Sequence, residues 1–278
     1  MRKLLFLILP AALLPAQSIL PVDGRDQLIA GHNAFVGRSK PPAKTTASSG
    51  VQHMVFPRII CGTGWSTTLV LVNSASNSVD FQLAFSGSDG QPSQFSVATQ
   101  PNIGTMTVYG LQGALGPTST LNLTLASSSS LEEGWGLLSY SSAQGSIGGY
   151  ALIRHSALGG AFNFETTVPL SNMQDVSFYV PFDNTAGFQT ELTIVNPASN
   201  LAAQVSLTYR DPQGQVMLVD SVNLGAGQQM TINLPNTYPD LANKSGTIDL
   251  EADISVMSAL AVRYNPAYGT IAAVPGLN

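Results

Sequence analysis

The strongest constraint on what this chain can fold into is a pattern that occurs twice. Trp65-Ser-Thr-Thr-Leu69-Val-Leu71-Val-Asn73 and Phe188-Gln-Thr-Glu-Leu192-Thr-Ile194-Val-Asn196 share an aromatic, a Thr two places on, two alternating aliphatics and a final Asn. The offset is 188 − 65 = 123, and a glycine precedes each aromatic (Gly64, Gly187). Phe56-Pro57 corresponds in the same way to Tyr179 with Pro181 nearby. Leu83-Ala-Phe85 followed by Asp89-Gly90 matches Leu207-Thr-Tyr209 followed by Gln213-Gly214, at an offset of 124. Ala151-Leu-Ile-Arg154 then matches Leu260-Ala-Val-Arg263, and Thr167-Val-Pro169 matches Ala273-Val-Pro275, at 109 and 106. The falling offset gives the first copy about fifteen more residues, placed between Ala98 and Thr120. Each copy has the length of a small domain with one core. The expected organisation is therefore a first domain over 53–170 and a second, diverged repeat over 176–276, joined by the short polar bridge Ser171–Asp175.

Hydrophobic periodicity makes both copies all-β. Val79, Phe81, Leu83 and Phe85 alternate with polar or small residues, as do Leu121, Leu123 and Leu125, and alternation places each set on one face of a strand. Trp135 to Tyr140 and Tyr150 to Arg154 are more continuously apolar, as strands covered on both sides are. Asp89-Gly90 supplies hairpin-turn residues. No adequate window carries a 3.6-residue period, and at most a helical turn fits around Tyr238–Leu241. The expected fold class is two tandem Ig-like antiparallel β-sandwich domains, preceded by a signal peptide and a flexible leader.

The N-terminus reads as an export signal. Met1-Arg2-Lys3 is cationic, Leu4–Leu14 is apolar, and Ala16 and Ser18 are small residues two apart. That three-part pattern makes 1–18 a removable secretory signal, too short to span a bilayer. Residues 19–52, with Pro41-Pro42 and several glycines, read as a flexible leader or linker. The mature chain is expected to be secreted, in an extracellular, cell-surface or periplasmic location, with no integral membrane segment. Cys61 is alone, which leaves no intrachain disulfide, and its neighbours Ile59 and Ile60 mark it as a buried thiol. With 10% charged residues and a net charge of −5, the chain lacks the clustered cations that nucleic-acid binding needs.

The run from Phe56-Pro57 through Gly62-Thr-Gly64-Trp65-Ser-Thr-Thr-Leu-Val-Leu-Val-Asn73, with Gly134-Trp135-Gly136 further on, resembles an uncharacterised domain found in tandem in bacterial secreted proteins. The similarity covers residues 53–276. The second copy departs from it at Phe188 and at Gly246-Thr247. The resemblance implies export and tandem sandwiches, and it brings no activity, cofactor or functional residue.

Candidate chemistry is sparse. The histidines are His32, His53 and His155. Only His155 lies inside a domain, and no nucleophile elbow accompanies it. Zinc would need three or four ligands, which these histidines do not supply. Glu132-Glu133 are adjacent and point to opposite faces of an extended chain, so they do not form a glycosidase pair. Asp211-Pro-Gln-Gly214 reads as a type I turn rather than a calcium loop, and Asp249, Glu251 and Asp253 as the solvent side of a strand. Arg154 and Arg263 recur at the ends of matched strands, and Asn73 and Asn196 end strands and begin turns. Trp65 and Trp135 are the candidates for stacking on a sugar ring, set against a role in the core. The function expected is a non-catalytic structural or binding protein of the cell surface or matrix, without cofactor or metal, whose partner is a protein or polysaccharide. The alternative is a pair of carbohydrate-binding modules using exposed tryptophans.

Overall fold

The computed structural model describes residues 19–22, 50–100, 104–126, 130–156, 162–173, 176–253, 257–267 and 270–277. The expected signal segment and most of the expected leader, with His32, lie outside them. The described chain is all-β, in four antiparallel sheets. Sheet I contains β1 (Ile19–Pro21), β2 (Val51–Cys61), β4 (Val79–Gly87), β7 (Gly110–Leu115), β9 (Glu132–Ser141) and β12 (Ser171–Asn172), ordered β1-β7-β4-β9-β2-β12. Sheet II contains β3 (Trp65–Asn73), β5 (Phe95–Gln100), β6 (Thr105–Val108), β8 (Thr120–Ala126), β10 (Ile147–Ser156) and β11 (Phe162–Pro169), ordered β11-β10-β3-β8-β5-β6. Sheet III is β13 (Ser177–Asp183), β18 (Ser245–Ala252), β15 (Ala203–Arg210) and β16 (Val216–Leu224) in that order. Sheet IV is β17 (Gln229–Asn233), β14 (Gln189–Val195), β19 (Ser258–Asn265) and β20 (Thr270–Pro275). A single helical turn, α1 (Leu234–Thr237), follows β17, capped by the Asn233 side chain, and leads into a 3-10 turn at Pro239–Leu241.

Alternation builds two cores. Val79, Phe81, Leu83 and Phe85 of sheet I meet Leu69, Leu71, Leu121, Leu123 and Leu125 of sheet II in one apolar cluster, which also takes in Leu260 and Val262 of sheet IV. Val180, Phe182, Leu207, Tyr209 and Leu250 of sheet III meet Leu192, Ile194 and Ala261 of sheet IV in the other. Each fully buried side chain of this size contributes about 1.5–3 kcal/mol. Strand β9 is apolar on both faces because sheet I is covered twice. Leu138 and Tyr140 face the first core, while Trp135 and Leu137 join Val22, Val55, Ala84, Met173 and Val195 in a third cluster behind it.

The expectation of two Ig-like sandwiches is met only at the coarser level, an all-β chain of antiparallel sheets. The four sheets are disposed as a propeller-like ring. Double coverage of sheet I is the physical reason: its outer face packs on Val195 of the other half instead of on water. The leader expectation is corrected where it is described. Ile19–Pro21 is a strand paired with β7, with Ile19 and Val22 buried, and β2 already begins at Val51. In the stretch expected to bridge the two copies, Ser171-Asn172 pairs with β2.

The same bonds close both halves. Asn73 Nδ2 donates to the carbonyls of Asn77 (2.8 Å), Leu115 (3.2 Å) and Gly116 (2.8 Å), and its Oδ1 accepts from Ala75 N. Asn196 Nδ2 donates to the carbonyls of Leu201 (2.8 Å), Leu224 (3.2 Å) and Gly225 (3.0 Å), and its Oδ1 accepts from Ala198 N. Thr67 Oγ1 clasps the N–H and C=O of Ile60, as Thr190 Oγ1 does those of Asp183. A Cβ at Gly134 would collide with the carbonyl of Ser86, and one at Gly246 with that of Arg210. One expectation fails on register. Leu69 lies opposite Ala151 and Leu192 opposite Ala261, so position 154 corresponds to Tyr264 and not to Arg263. A slip of one residue changes the face of the strand. Arg154 accordingly pairs with the exposed Glu165, whereas Arg263 reaches Asp183.

Candidate functional site

The β2–β3 hairpin turns through Thr63 and Gly64, at φ 50° and 92°, with Gly62 and Trp65 exchanging backbone bonds of 3.0 and 2.9 Å. Positive φ at both central residues defines a type I′ turn, whose twist suits a hairpin. Gly64 is required for a second reason, because a Cβ there would stand 2.5 Å from the carbonyl of Ser156. The turn delivers Trp65 to the margin of the first core, against which it packs. It is half-buried, its ring 4.7 Å from His155 and 5.3 Å from Phe164, and those two stack at 4.9 Å. Nδ1 of His155 is buried with no hydrogen-bond partner, so no carboxylate orients the imidazole through that nitrogen.

The second half carries a related corner of different chemistry. Ala186 and Gly187 make the positive-φ turn (52° and 79°) before Phe188. The Arg263 guanidinium lies 3.4 Å from the Phe188 ring centroid and 2.6 Å from Asp183 Oδ2. Burial pushes the Asp183 carboxyl upward. The bonds from Thr185 and the Arg263 charge outweigh that and hold it below the ordinary carboxylate range. A lowered folded-state pKa contributes stability that is present above the unfolded value and lost as pH falls through the folded one. Thermal unfolding from about pH 5 downward is expected to show wild type losing more stability than Asp183→Asn. Parallel curves would refute this.

Trp135 lies elsewhere. It is fully buried, and its Nε1 donates to the carbonyl of Gly227 at 2.8 Å. It therefore presents no face to a sugar in this structure, and the platform role is left to Trp65. Trp135 belongs to a polar seam between the halves. Gln229 Nε2 donates to the carbonyls of Pro57 (2.7 Å) and Gly134 (2.9 Å). Arg58, 7% exposed, reaches Glu191 at 2.8 Å and Glu133 at 3.6 Å. Gly90 and Gly227 touch so closely that a Cβ on either would strike the other's turn. A cleft of about 230 Å³ opens beside the seam between Pro57, Leu170, Phe178, Leu260 and Pro275.

The remaining candidates take structural places. Glu132-Glu133 open β9, with Glu132 Oε2 3.7 Å from Cys61 Sγ. Burial and that carboxylate push the buried Cys61 thiol up to about 12. His53 Nδ1 pairs with Ser139 Oγ. Asp211 Oδ1 accepts from the N–H groups of Gln213 and Gln215, so its loop is a self-bonded turn. Asp253 caps Gln204 N, while Asp249 lies near Arg210 with Oδ1 buried and unpaired. Arg58 and Gln229 escaped sequence reasoning. The one available signal was a lone charge inside the apolar run Val55–Cys61. Among the described residues, no three His, Cys, Asp or Glu side chains converge as a metal site, and no helix is long and apolar enough to cross a membrane. No protein-family model matches the chain, and neither the curated proteins nor the solved structures yield a match.

Proposed function

We propose that this chain is an exported, non-catalytic structural or binding protein of the cell surface or matrix. In this reading it is built from two diverged copies of one β-sandwich domain held as a single rigid body. The observation that carries it is the seam, where Arg58, Trp135 and Gln229 bond across the halves. Polar groups fixed to one another in this way resist hinge motion. Their use in architecture, together with an imidazole enclosed by Trp65 and Phe164, favours a scaffold over a reaction centre. The shared Asn and Thr bonds favour duplication, as does the strand order. Sheets III and IV match the β2-β9-β4-β7 and β8-β3-β10-β11 parts of sheets I and II. The excess of the first half is then mainly the β5–β6 hairpin. The resemblance to the tandem domain of bacterial secreted proteins accords with the same reading. Cell fractionation tests it: the protein is expected outside the cytoplasm with Ile19 at its N-terminus. A cytoplasmic chain that keeps Met1–Ser18 refutes export.

The half-exposed Trp65 favours a second reading, carbohydrate binding at one site. An aromatic ring backed by His155 and Phe164 is a rigid platform for the apolar face of a sugar. On insoluble polysaccharides, folded Trp65→Ala is expected to lose the retention shown by wild type. Equal retention, or none by either protein, removes this reading.

A further inference from the structure

We propose that strand β16 is a docking edge and that its occupant is a second copy of this chain, paired antiparallel through β16 itself. An edge strand offers a row of unpaired N–H and C=O groups, and protein sheets normally shorten, interrupt or cover such edges. The other edges in this molecule follow that rule. Strands β1, β12 and β6 have three, two and four residues, and β17 has five and runs into α1. Strand β13 contains Pro181, and Leu277 exchanges two backbone bonds with its Tyr179. Strands β11 and β20 end in Pro169 and Pro275 and lie against each other, with Ala273 N donating to Thr166 Oγ1. By contrast β16 has nine residues, contains no proline, and among the described residues has no strand beyond it. Val216 and Val219 on it are 54% and 61% exposed.

The first half shows what such an edge accepts. Strand β7 stands beside β4 as β16 stands beside β15: Leu111 is opposite Leu83, and Asp220 is opposite Leu207. On its far side β7 carries an antiparallel strand, β1, with Ile19, Leu20 and Pro21 opposite Gly113, Gln112 and Leu111. Among the described residues, no strand takes the corresponding position beside β16.

Charge selects the register of the pair. A two-fold axis through Asp220 would set two carboxylates directly opposite, which is unfavourable. An axis through Val219 sets Val219 against its mate, Leu218 against Asp220, Met217 against Ser221 and Val216 against Val222. It covers both exposed valines and joins two four-stranded sheets into one of eight, by the self-complementary contact that two-fold dimers use. The edge carries two guards, a bulge at Met217, where the register with β15 shifts between Tyr209 and Arg210, and the charge of Asp220. Its Oδ1 accepts from Ser221 N at 2.7 Å, and Tyr238 Oη holds its Oδ2 at 2.6 Å.

Sedimentation velocity on the chain from Ile19, over a hundredfold range of concentration, tests the proposal. Wild type is expected to shift from monomer to dimer. Val219→Lys, which sets two ammonium groups on the axis at an exposed site, is expected to stay monomeric with unchanged melting. Asp220→Ala, which releases Ser221 N–H, is expected to dimerise at least as tightly as wild type. Amide exchange across Val216–Leu224 should slow as dimer forms. A wild type that stays monomeric throughout overturns the proposal, whether the edge is open or filled by another extended polypeptide. A dimer indifferent to Val219→Lys overturns it as well.

Discussion

Trp135→Ala is expected to destabilise the protein by about 3–5 kcal/mol and to split its unfolding into two transitions. The side chain is fully buried in the cluster behind sheet I, among Val55, Ala84, Leu137 and Val195. Truncation removes the ring and leaves a cavity between elements from both halves. It also leaves the Gly227 carbonyl without its 2.8 Å donor. Trp135→Phe separates the two losses, since it keeps an aromatic ring but not the N–H, and should cost about 1–3 kcal/mol. Chemical denaturation followed by fluorescence is a direct measurement, because the chain has two tryptophans and Trp65 alone reports in these variants. A single transition in Trp135→Ala, at the wild-type midpoint, would mean that Trp135 neither stabilises the protein nor couples the halves.

The second large effect belongs to the asparagine latches. Asn196→Asp is expected to cost roughly 3–5 kcal/mol at neutral pH, as an unpaired buried charge does. The Asn196 amide is fully buried and donates to three carbonyls. A carboxylate in its place would face three oxygens with nothing to donate. Such a group has a folded-state pKa raised above its unfolded value. Its deficit is therefore smallest below the unfolded pKa and grows as pH rises through the folded one. Asn73→Asp should follow the same curve, because Asn73 makes the same four contacts in the first half. Denaturant midpoints from about pH 3 to 8 would measure both, and a pH-independent deficit would contradict the argument.

These latches also mark how far the fold was legible in sequence. Alternation at Val79–Phe85 and Leu121–Leu125 located strands and their inward faces, since a period of two is a local property. The apolar run Trp135–Tyr140 announced a strand covered on both sides, and β9 is one. What covers its second face was not legible, because Val22, Met173 and Val195 come from three distant parts of the chain. Trp135 consequently read as a possible platform, although nothing within ten residues of it shows the Gly227 carbonyl. Asn73 and Asn196 read as turn residues; their donor bonds reach partners 43 and 29 positions away. The match of Arg154 with Arg263 failed because neighbouring offsets of 109 and 110 both align apolar residues, and only strand register separates them.

The seam also sets an order of events during folding. Trp135 and its acceptor are 92 residues apart, and Pro57 and Gln229 are 172 apart. Contacts of such separation form late and slowly. As the chain emerges from the ribosome, the first half gathers most of its core before Leu260 and Val262 arrive, while the outer face of sheet I still lacks Val195 and the turn near residue 227. Throughout that interval an apolar surface centred on Trp135 is open to other chains, and a holding chaperone has a reason to bind there.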